Sequence, residues 1–218
     1  MTQPGPRYQD FVIKDGKLVG DFEGLYENFD DPWHQSEAEH QGDTRRQIAL
    51  MWMHRLRANY GASRVIELGC GFGHLTDKLR RAGFSAVGAD ISKTAIAKAR
   101  ELNSSSVYIQ AAVSDFDALI AFSPDVFLMA EITWYILDEL DEFLSRCKGY
   151  ASGRHRPTYL IHLLTTYASG VQQYGAEKFT NLEEIQRYFG LETLESGLIK
   201  TPRESDPNSQ GTYFIAKI

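Results

Sequence analysis

Between residues 64 and 164 the chain alternates short apolar runs with helix-length amphipathic ones, and this alternation constrains the fold more than any other feature. Arg64–Leu68, Ser85–Ala89, Val107–Ala112, Asp125–Ala130 and Thr158–Leu164 have the length and composition of strands. Between them lie His74–Ala82 closed by Gly83, Lys93–Leu102 capped by Ser92, a short stretch near Asp115–Ala121, and Ile136–Lys148 ended by Gly149, all read as helices. Repeated strand–helix units imply an α/β fold, a mainly parallel sheet with helices on both faces. A further helix is expected over 44–60, with Asp43 or Thr44 as N-cap and Gly61 as stop, and a short hairpin at Asp15–Gly16. Thr180-x-x-Glu183 reads as a capping box for a helix through Tyr188, and strands near Leu191–Ile199 and Thr212–Lys217 close the chain.

A chain of 218 residues, 43% hydrophobic and 24% charged, is long enough to bury a full core without disulfide or metal, in one embellished domain or at most two small ones. Cys70 and Cys147 sit in no CxxC and read as reduced thiols. His34, His40, His54, His74 and His155 have no ligand spacing, so no structural metal is expected. The apolar run Val126–Ala130 stops at Glu131, and no run approaches the roughly 20 residues a membrane span needs. The opening MTQPGPRYQD has neither a basic start nor an apolar segment, so no signal peptide, no membrane partner and a cytoplasmic location are expected. Of a net charge of −6, eight acids fall between Leu18 and Thr44 (Asp21, Glu23, Glu27, Asp30, Asp31, Glu37, Glu39 and Asp43) with no Lys or Arg among them. Such a segment repels phosphates, so no nucleic-acid partner is expected. It divides the chain into a leader and acidic lid, 1–43, and a main domain, 44–218.

The sharpest chemical signal is Glu67-Leu-Gly69-Cys70-Gly71-Phe-Gly73, directly after a strand and before a helix. Glycines let a backbone approach a ligand closely, and the helix start behind them offers unpaired N–H groups. Dinucleotide enzymes want GxGxxG, but the positions of the third glycine are His74 or Thr76. An acid in front of the turn opposes a pyrophosphate and suits a cationic amino group, which favours an aminoacyl nucleoside. Asp90, ending the second strand, is placed to accept hydrogen bonds from both hydroxyls of a ribose, and Ile91 to stack on a base. Cys70 travels with the loop as a small buried residue.

These residues resemble the class I S-adenosylmethionine-dependent methyltransferase family over about residues 44–217. The resemblance implies a Rossmann-like seven-stranded sheet, mostly parallel with its last strand antiparallel, and S-adenosyl-L-methionine as cofactor. Glu67, Gly69, Gly71 and Gly73 would cradle the methionine part and Asp90 the ribose. The slot after strand three, where many members place an Asp near the adenine, reads Ala111-Ala112-Val113-Ser114-Asp115. Backbone groups there, beside Val113, or else Asp115, would hold the base. A fainter resemblance joins Tyr26-x-x-Phe-Asp-Asp-Pro-Trp33 and Ala130-Glu-Ile-Thr-Trp-Tyr135 to the nodulation N-methyltransferases, which act on an amino sugar.

Around the cofactor several roles stay open. Tyr26 and Trp33 would cover a sulfonium with aromatic faces, or pin the leader to the core. Arg45, three and seven residues before Ile48 and Trp52, points to the buried side of its helix, toward the cofactor carboxylate or an acid of the 18–44 segment. Glu131 leaves strand four toward the ligand crevice, to hold an ammonium group, accept a proton, or act as a buried cap. Trp134, Tyr135 and Tyr167 would line the acceptor pocket. His162 is the best-placed histidine base, or a satisfied core histidine. The expected function is methyl transfer to a small-molecule acceptor, N- or O-linked, an amino sugar or other sugar among the options, with a homodimer left open. Rivals are an NAD(P)-dependent oxidoreductase and a non-catalytic cofactor-binding relative.

Overall fold

The computed structural model describes residues 7–35, 43–168, 170–171, 174–199 and 209–218. The leader carries a 3-10 turn at Tyr8–Asp10, strands β1 (Ile13–Lys14) and β2 (Lys17–Leu18), and helix α1 (Phe22–Asn28). Asp15 and Gly16 join the two strands at φ 51° and 71°, the left-handed pair of a type I′ hairpin. Then follow α2 (Thr44–Tyr60), β3 (Arg64–Leu68), α3 (His74–Arg81), β4 (Ser85–Asp90), α4 (Lys93–Leu102), β5 (Val107–Gln110), α5 (Phe116–Ile120) and β6 (Val126–Ala130). A 3-10 turn at Thr133–Tyr135 leads to α6 (Leu140–Ser152), β7 (Tyr159–Tyr167), α7 (Leu182–Phe189), β8 (Glu192–Ile199) and β9 (Ser209–Lys217).

Seven of these strands form one sheet in the order β5-β4-β3-β6-β7-β9-β8. It is parallel from β5 through β7, and β9 runs antiparallel to both β7 and β8. This is the Rossmann-like sheet with an antiparallel last strand that the resemblance implied. Alternation along each strand divides the core. Ile66, Phe127, Leu160 and Phe214 pack on the α6–α7 face, and their neighbours Val65, Leu128, Ile161 and Ile215 pack on the α2–α3 face. Strand order reverses between β3 and β6, and ligand crevices open at such a switch point, beyond the carboxyl ends of the strands. Among the described residues no helix is long and apolar enough to cross a membrane.

Caps set the helix limits where the sequence predicts them: Asp43 and Gly61 (φ 70°) bound α2, and Ser92 Oγ accepts the Ala95 N–H of α4 at 3.0 Å. Two boundaries differ. The helix expected over 136–148 is α6, four residues later, with Gly153 as its C-cap. Ile136 and Leu137 are buried, but as part of the turn after Tyr135, and Gly149 sits within the helix beside open space. The capping box of α7 also moves by one: Asn181 Oδ1 accepts the Glu184 N–H at 3.0 Å, and Glu184, not Glu183, reaches back to the Thr180 N–H at 2.7 Å.

Candidate active site

β3 and β4 end side by side, Leu68 opposite Ala89, and each delivers an acid to the crevice. Gly69, Gly71 and Gly73 have φ of 68°, 52° and 73°, in the region other residues rarely adopt. Each also admits a neighbour: a Cβ at Gly69 would lie 2.7 Å from Ile132 Cδ1, at Gly71 2.8 Å from Tyr26 Oη, and at Gly73 2.3 Å from Tyr108 Cε1. The loop folds back onto Asp90, whose Oδ2 accepts the Gly71 N–H and Oδ1 the Ser92 N–H, both at 2.9 Å. Burial pushes the Asp90 carboxyl up, against those two bonds. Glu67 accepts the Thr76 hydroxyl, and burial pushes its carboxyl up to about 7 despite that bond and the charge of Arg46.

A cavity of about 590 Å³ runs from Glu67, Gly69 and Asp90 to Glu131, Thr165 and Tyr167. Ile91 and Val113 also face it, with Ala111 and Ala112. Asp115 does not: its Oδ2 accepts the Ala112 N–H at 2.9 Å, so it organises the turn rather than reaching a base. Cys70, Gly71 and Gly73 shape the loop from behind the cavity wall, Gly71 under Tyr26 and Gly73 under Tyr108. Cys70 is buried, and its surroundings raise the thiol well above the ordinary range.

The leader roofs the cavity with rings. Trp33 Nε1 donates to Tyr26 Oη at 3.0 Å, Tyr26 packs on Phe72 at 5.3 Å between centroids, and Trp33 on Tyr135 at 5.8 Å. Phe22 meets Tyr135 edge-on at 5.3 Å and Tyr8 meets Trp33 at 6.0 Å. Most of the described acids of this segment are engaged elsewhere. Asp21 caps α1, Asp30 lies 3.7 Å from Lys98 Nζ, and Asp31 accepts the Gln35 N–H. Glu23 clasps α4, accepting from Ser92 Oγ at 2.6 Å, Thr94 Oγ1 at 2.8 Å and the Thr94 N–H at 3.2 Å. Glu37 and Glu39 lie outside the described residues; of the other six, Asp43 alone lines the cavity. Among the described residues the ceiling is therefore mainly aromatic, with Asp21, Glu23, Asp30 and Asp31 engaged by the leader itself or by α4.

At the opposite end Glu131 follows β6 with φ 61°, a left-handed backbone that turns its side chain into the cavity. Its Oε2 accepts the Thr165 N–H at 2.8 Å and its Oε1 the Thr165 hydroxyl at 3.1 Å. Arg45 Nε lies 2.9 Å from the same Oε1, an ion pair by distance rather than an aligned hydrogen bond, and Arg45 Nη2 donates to Thr165 Oγ1 at 2.9 Å. Burial still raises the Glu131 carboxyl, with Arg45 the largest opposing influence. Arg45 is thus on the buried side of α2, but its guanidinium is engaged by Glu131 and lies 4.0 Å from Asp43. Trp134 lines the wall with its Nε1 donating to Thr165 O at 2.8 Å, and Tyr135 and Tyr167 line it beside Glu131.

His162 is the expectation the structure corrects. It lies off the cavity wall, fully buried, with ring centroids of Phe214 and Phe189 at 4.8 and 4.9 Å. Its Nε2 is 2.7 Å from Thr133 Oγ1, and burial lowers its pKa to about 3. A ring so placed meets no acceptor and cannot serve as the base. Sequence reading missed Thr165, which ties Arg45, Glu131 and Trp134 together, and Arg46, Phe22, Tyr8 and Glu139 on the cavity wall. Only Arg46 left a signal, as the second cation of the Thr44-Arg-Arg turn.

Residues 65–150 match a family model described as a methyltransferase domain, and no curated protein matches the sequence. Among solved structures the chain is similar to magnesium protoporphyrin IX methyltransferase (ChlM) from Synechocystis PCC 6803 with bound SAM, at 16% identity over 96% of this chain and 89% of that one, TM-score 0.51. It is similar also to N-methyltransferase NodS from Bradyrhizobium japonicum WM9 in complex with S-adenosyl-L-homocysteine, at 16% identity over 89% and 97%, TM-score 0.56. The bifunctional kinase-methyltransferase WbdD matches at 18% identity over 85% of this chain and 41% of that one, TM-score 0.59. At these identities the structures speak for the fold, and the matched domain contains the glycine loop, Asp90 and Glu131. Residues 65–150 thus carry a methyltransferase domain, and the chain shares its fold with methyltransferases solved with S-adenosylmethionine or S-adenosylhomocysteine bound.

Proposed function

We propose that the protein transfers a methyl group from S-adenosylmethionine to the amine or hydroxyl of a small molecule, with residues 1–43 as lid. The observation that carries this reading is a single cavity with Glu67 and Asp90 at one end, Glu131 at the other and aromatic rings between. The cofactor fits the residues at the first end. Asp90 keeps lone pairs for a ribose beside the two N–H groups it accepts, and Glu67 is a buried carboxyl poised near neutrality for an amino group. Ile91 and Val113 offer apolar surface to an adenine, and Arg46, facing the cavity near Glu67, takes over from Arg45 as partner for the carboxylate. When bound, the cofactor supplies an electrophilic methyl on a sulfonium.

The chain's own residues then hold the acceptor, exclude water and receive a proton. Trp33, Tyr135 and Tyr26 close the cavity from the leader side, and aromatic faces also attract the sulfonium. Glu131, its carboxyl raised by burial and its two oxygens fixed by Thr165, accepts the proton of an acceptor hydroxyl or holds an amine. The acids of the leader no longer argue for a cationic acceptor; Glu131 within an aromatic wall does, and an amino-bearing sugar is one such acceptor. The buried free thiols Cys70 and Cys147 suit a reducing compartment such as the cytosol. Labelled cofactor incubated with amino sugars, simple amines and hydroxyl-only analogues tests the reading. Label in the amines is expected; label confined to the hydroxyl compounds removes the amine assignment, and label in none removes methyl transfer to these classes.

A further inference from the structure

Glu131 is held in a conformation that an L-residue with a Cβ adopts only when its surroundings impose it, at a cost of about 1–3 kcal/mol. The turn that carries it, residues 131–135, also carries Trp134 and Tyr135 of the cavity wall. β7 fastens this turn rung by rung. Leu163 O accepts the Glu131 N–H at 2.9 Å, Thr165 takes the Glu131 carboxylate and the Trp134 indole, and His162 Nε2 meets the Thr133 hydroxyl at 2.7 Å. The last bond differs from the rest. It comes from beneath the cavity, from an imidazole among Phe189 and Phe214 where an apolar side chain would pack at lower cost. Thr133 and His162 are both fully buried, and the second ring nitrogen, Nδ1, has no hydrogen-bond partner among the described residues. A half-satisfied buried imidazole is unfavourable for stability alone, so its one bond calls for another explanation.

We infer that His162 is a positioning residue, which through the Thr133 hydroxyl locks the turn that aims Glu131 and Trp134 at the acceptor. The inference rests on the proposed acceptor end of the cavity. His162→Phe removes the bond and keeps a ring of similar size; His162→Gln keeps a nitrogen near the Nε2 position; Thr133→Val removes the hydroxyl from the other side.

The experiment measures kcat and KM with the best acceptor from the amine and hydroxyl panel, S-adenosylhomocysteine affinity by calorimetry, and Tm, for all three variants. His162→Phe and Thr133→Val are each expected to lower kcat at least tenfold while S-adenosylhomocysteine affinity stays within threefold and Tm is unchanged or higher, and His162→Gln is expected to restore most of kcat. The double variant Thr133→Val/His162→Phe is expected to be no worse than either single one, because both remove the same bond. Full kcat in Thr133→Val overturns the inference, even should His162→Phe fail to fold. A parallel fall of Tm, affinity and kcat that Gln does not rescue also overturns it, and makes His162 a packing residue. If the wild type methylates nothing in the panel, the acceptor reading fails separately, and crystal structures of the variants decide. Loss of the Glu131–Thr165 hydrogen bonds in Phe and their retention in Gln supports positioning; retention in both overturns it.

Discussion

At the scale of single residues, two buried carboxyls divide the proposed cofactor end of the cavity between them. Asp90 is anchored by Gly71 and Ser92, so its geometry exists before any ligand arrives, and its remaining acceptor capacity faces the cavity. Asp90→Ala is expected to weaken S-adenosylhomocysteine binding by about 1.5–3 kcal/mol for each charge-assisted bond lost, a tenfold effect or more by calorimetry. Unchanged affinity in a folded variant would remove Asp90 from the site. Glu67 behaves differently. Its folded pKa of about 7 lies above the ordinary value of 4.5, so the folded protein binds the extra proton more tightly than the unfolded chain. The stability this provides is complete below pH 4.5 and is lost as pH rises through about 7. In the ligand-free protein Glu67→Gln should therefore raise Tm relative to wild type at pH 8 but not at pH 4.5. An equal effect at both pH values would place the carboxyl in an ordinary environment. On the proposed placement of the cofactor amino group at Glu67, S-adenosylhomocysteine should flatten the wild-type curve.

At the scale of elements, caps and turns were legible in the sequence because they are local. Asp43, Gly61 and Ser92 mark helix ends through bonds spanning at most a few residues. The error at α6 has an equally physical origin. Ile136, Leu137, Leu140 and Leu144 satisfy a helical period, and nothing local distinguishes a buried turn from a first helical turn. The Arg45–Thr165–Glu131 constellation was out of reach, since Arg45 and Thr165 are 120 residues apart and meet only because α2 packs across the end of β7. The leader shows the same limit. Its acids were visible as charge, but which helix each would hold depends on tertiary docking. Glu23 is the clearest case, joining α1 to the N-terminus of α4 through the hydroxyl of Ser92, the same residue whose N–H holds Asp90. Glu23→Ala should leave the sheet intact, cost roughly 1 kcal/mol as a lost cap, and speed amide exchange in α1 while β3 and β4 stay protected. Unaltered exchange in α1 would mean that the buried contacts of Leu25 and Tyr26 hold the leader without the clasp.

At the scale of the whole molecule the sheet has a chemical end and a mechanical one. Every acid that lines the cavity from the sheet (Glu67, Asp90 and Glu131) sits at or beyond a strand's carboxyl end, where parallel strands leave a crevice at the switch point. The amino ends are closed by a different carboxylate. Asp125, just before β6, accepts the Ser63 and Arg64 N–H groups at 3.0 and 3.1 Å and pairs with Arg154 at 2.7 Å, both side chains largely buried. That pair seals the start of β3 and β6 against the segment after α6, far along the strands from Asp90. Removing one partner of a buried ion pair typically costs 3–5 kcal/mol, because the other charge remains desolvated. Asp125→Ala should therefore lower Tm by roughly 10 °C in a chain of this size. Its folded fraction at low temperature should bind S-adenosylhomocysteine as tightly as wild type. Asp90→Ala should show the converse, weak binding with a much smaller change in Tm. A loss of affinity in Asp125→Ala without a loss of Tm would show that the two ends are coupled through β3 and β6.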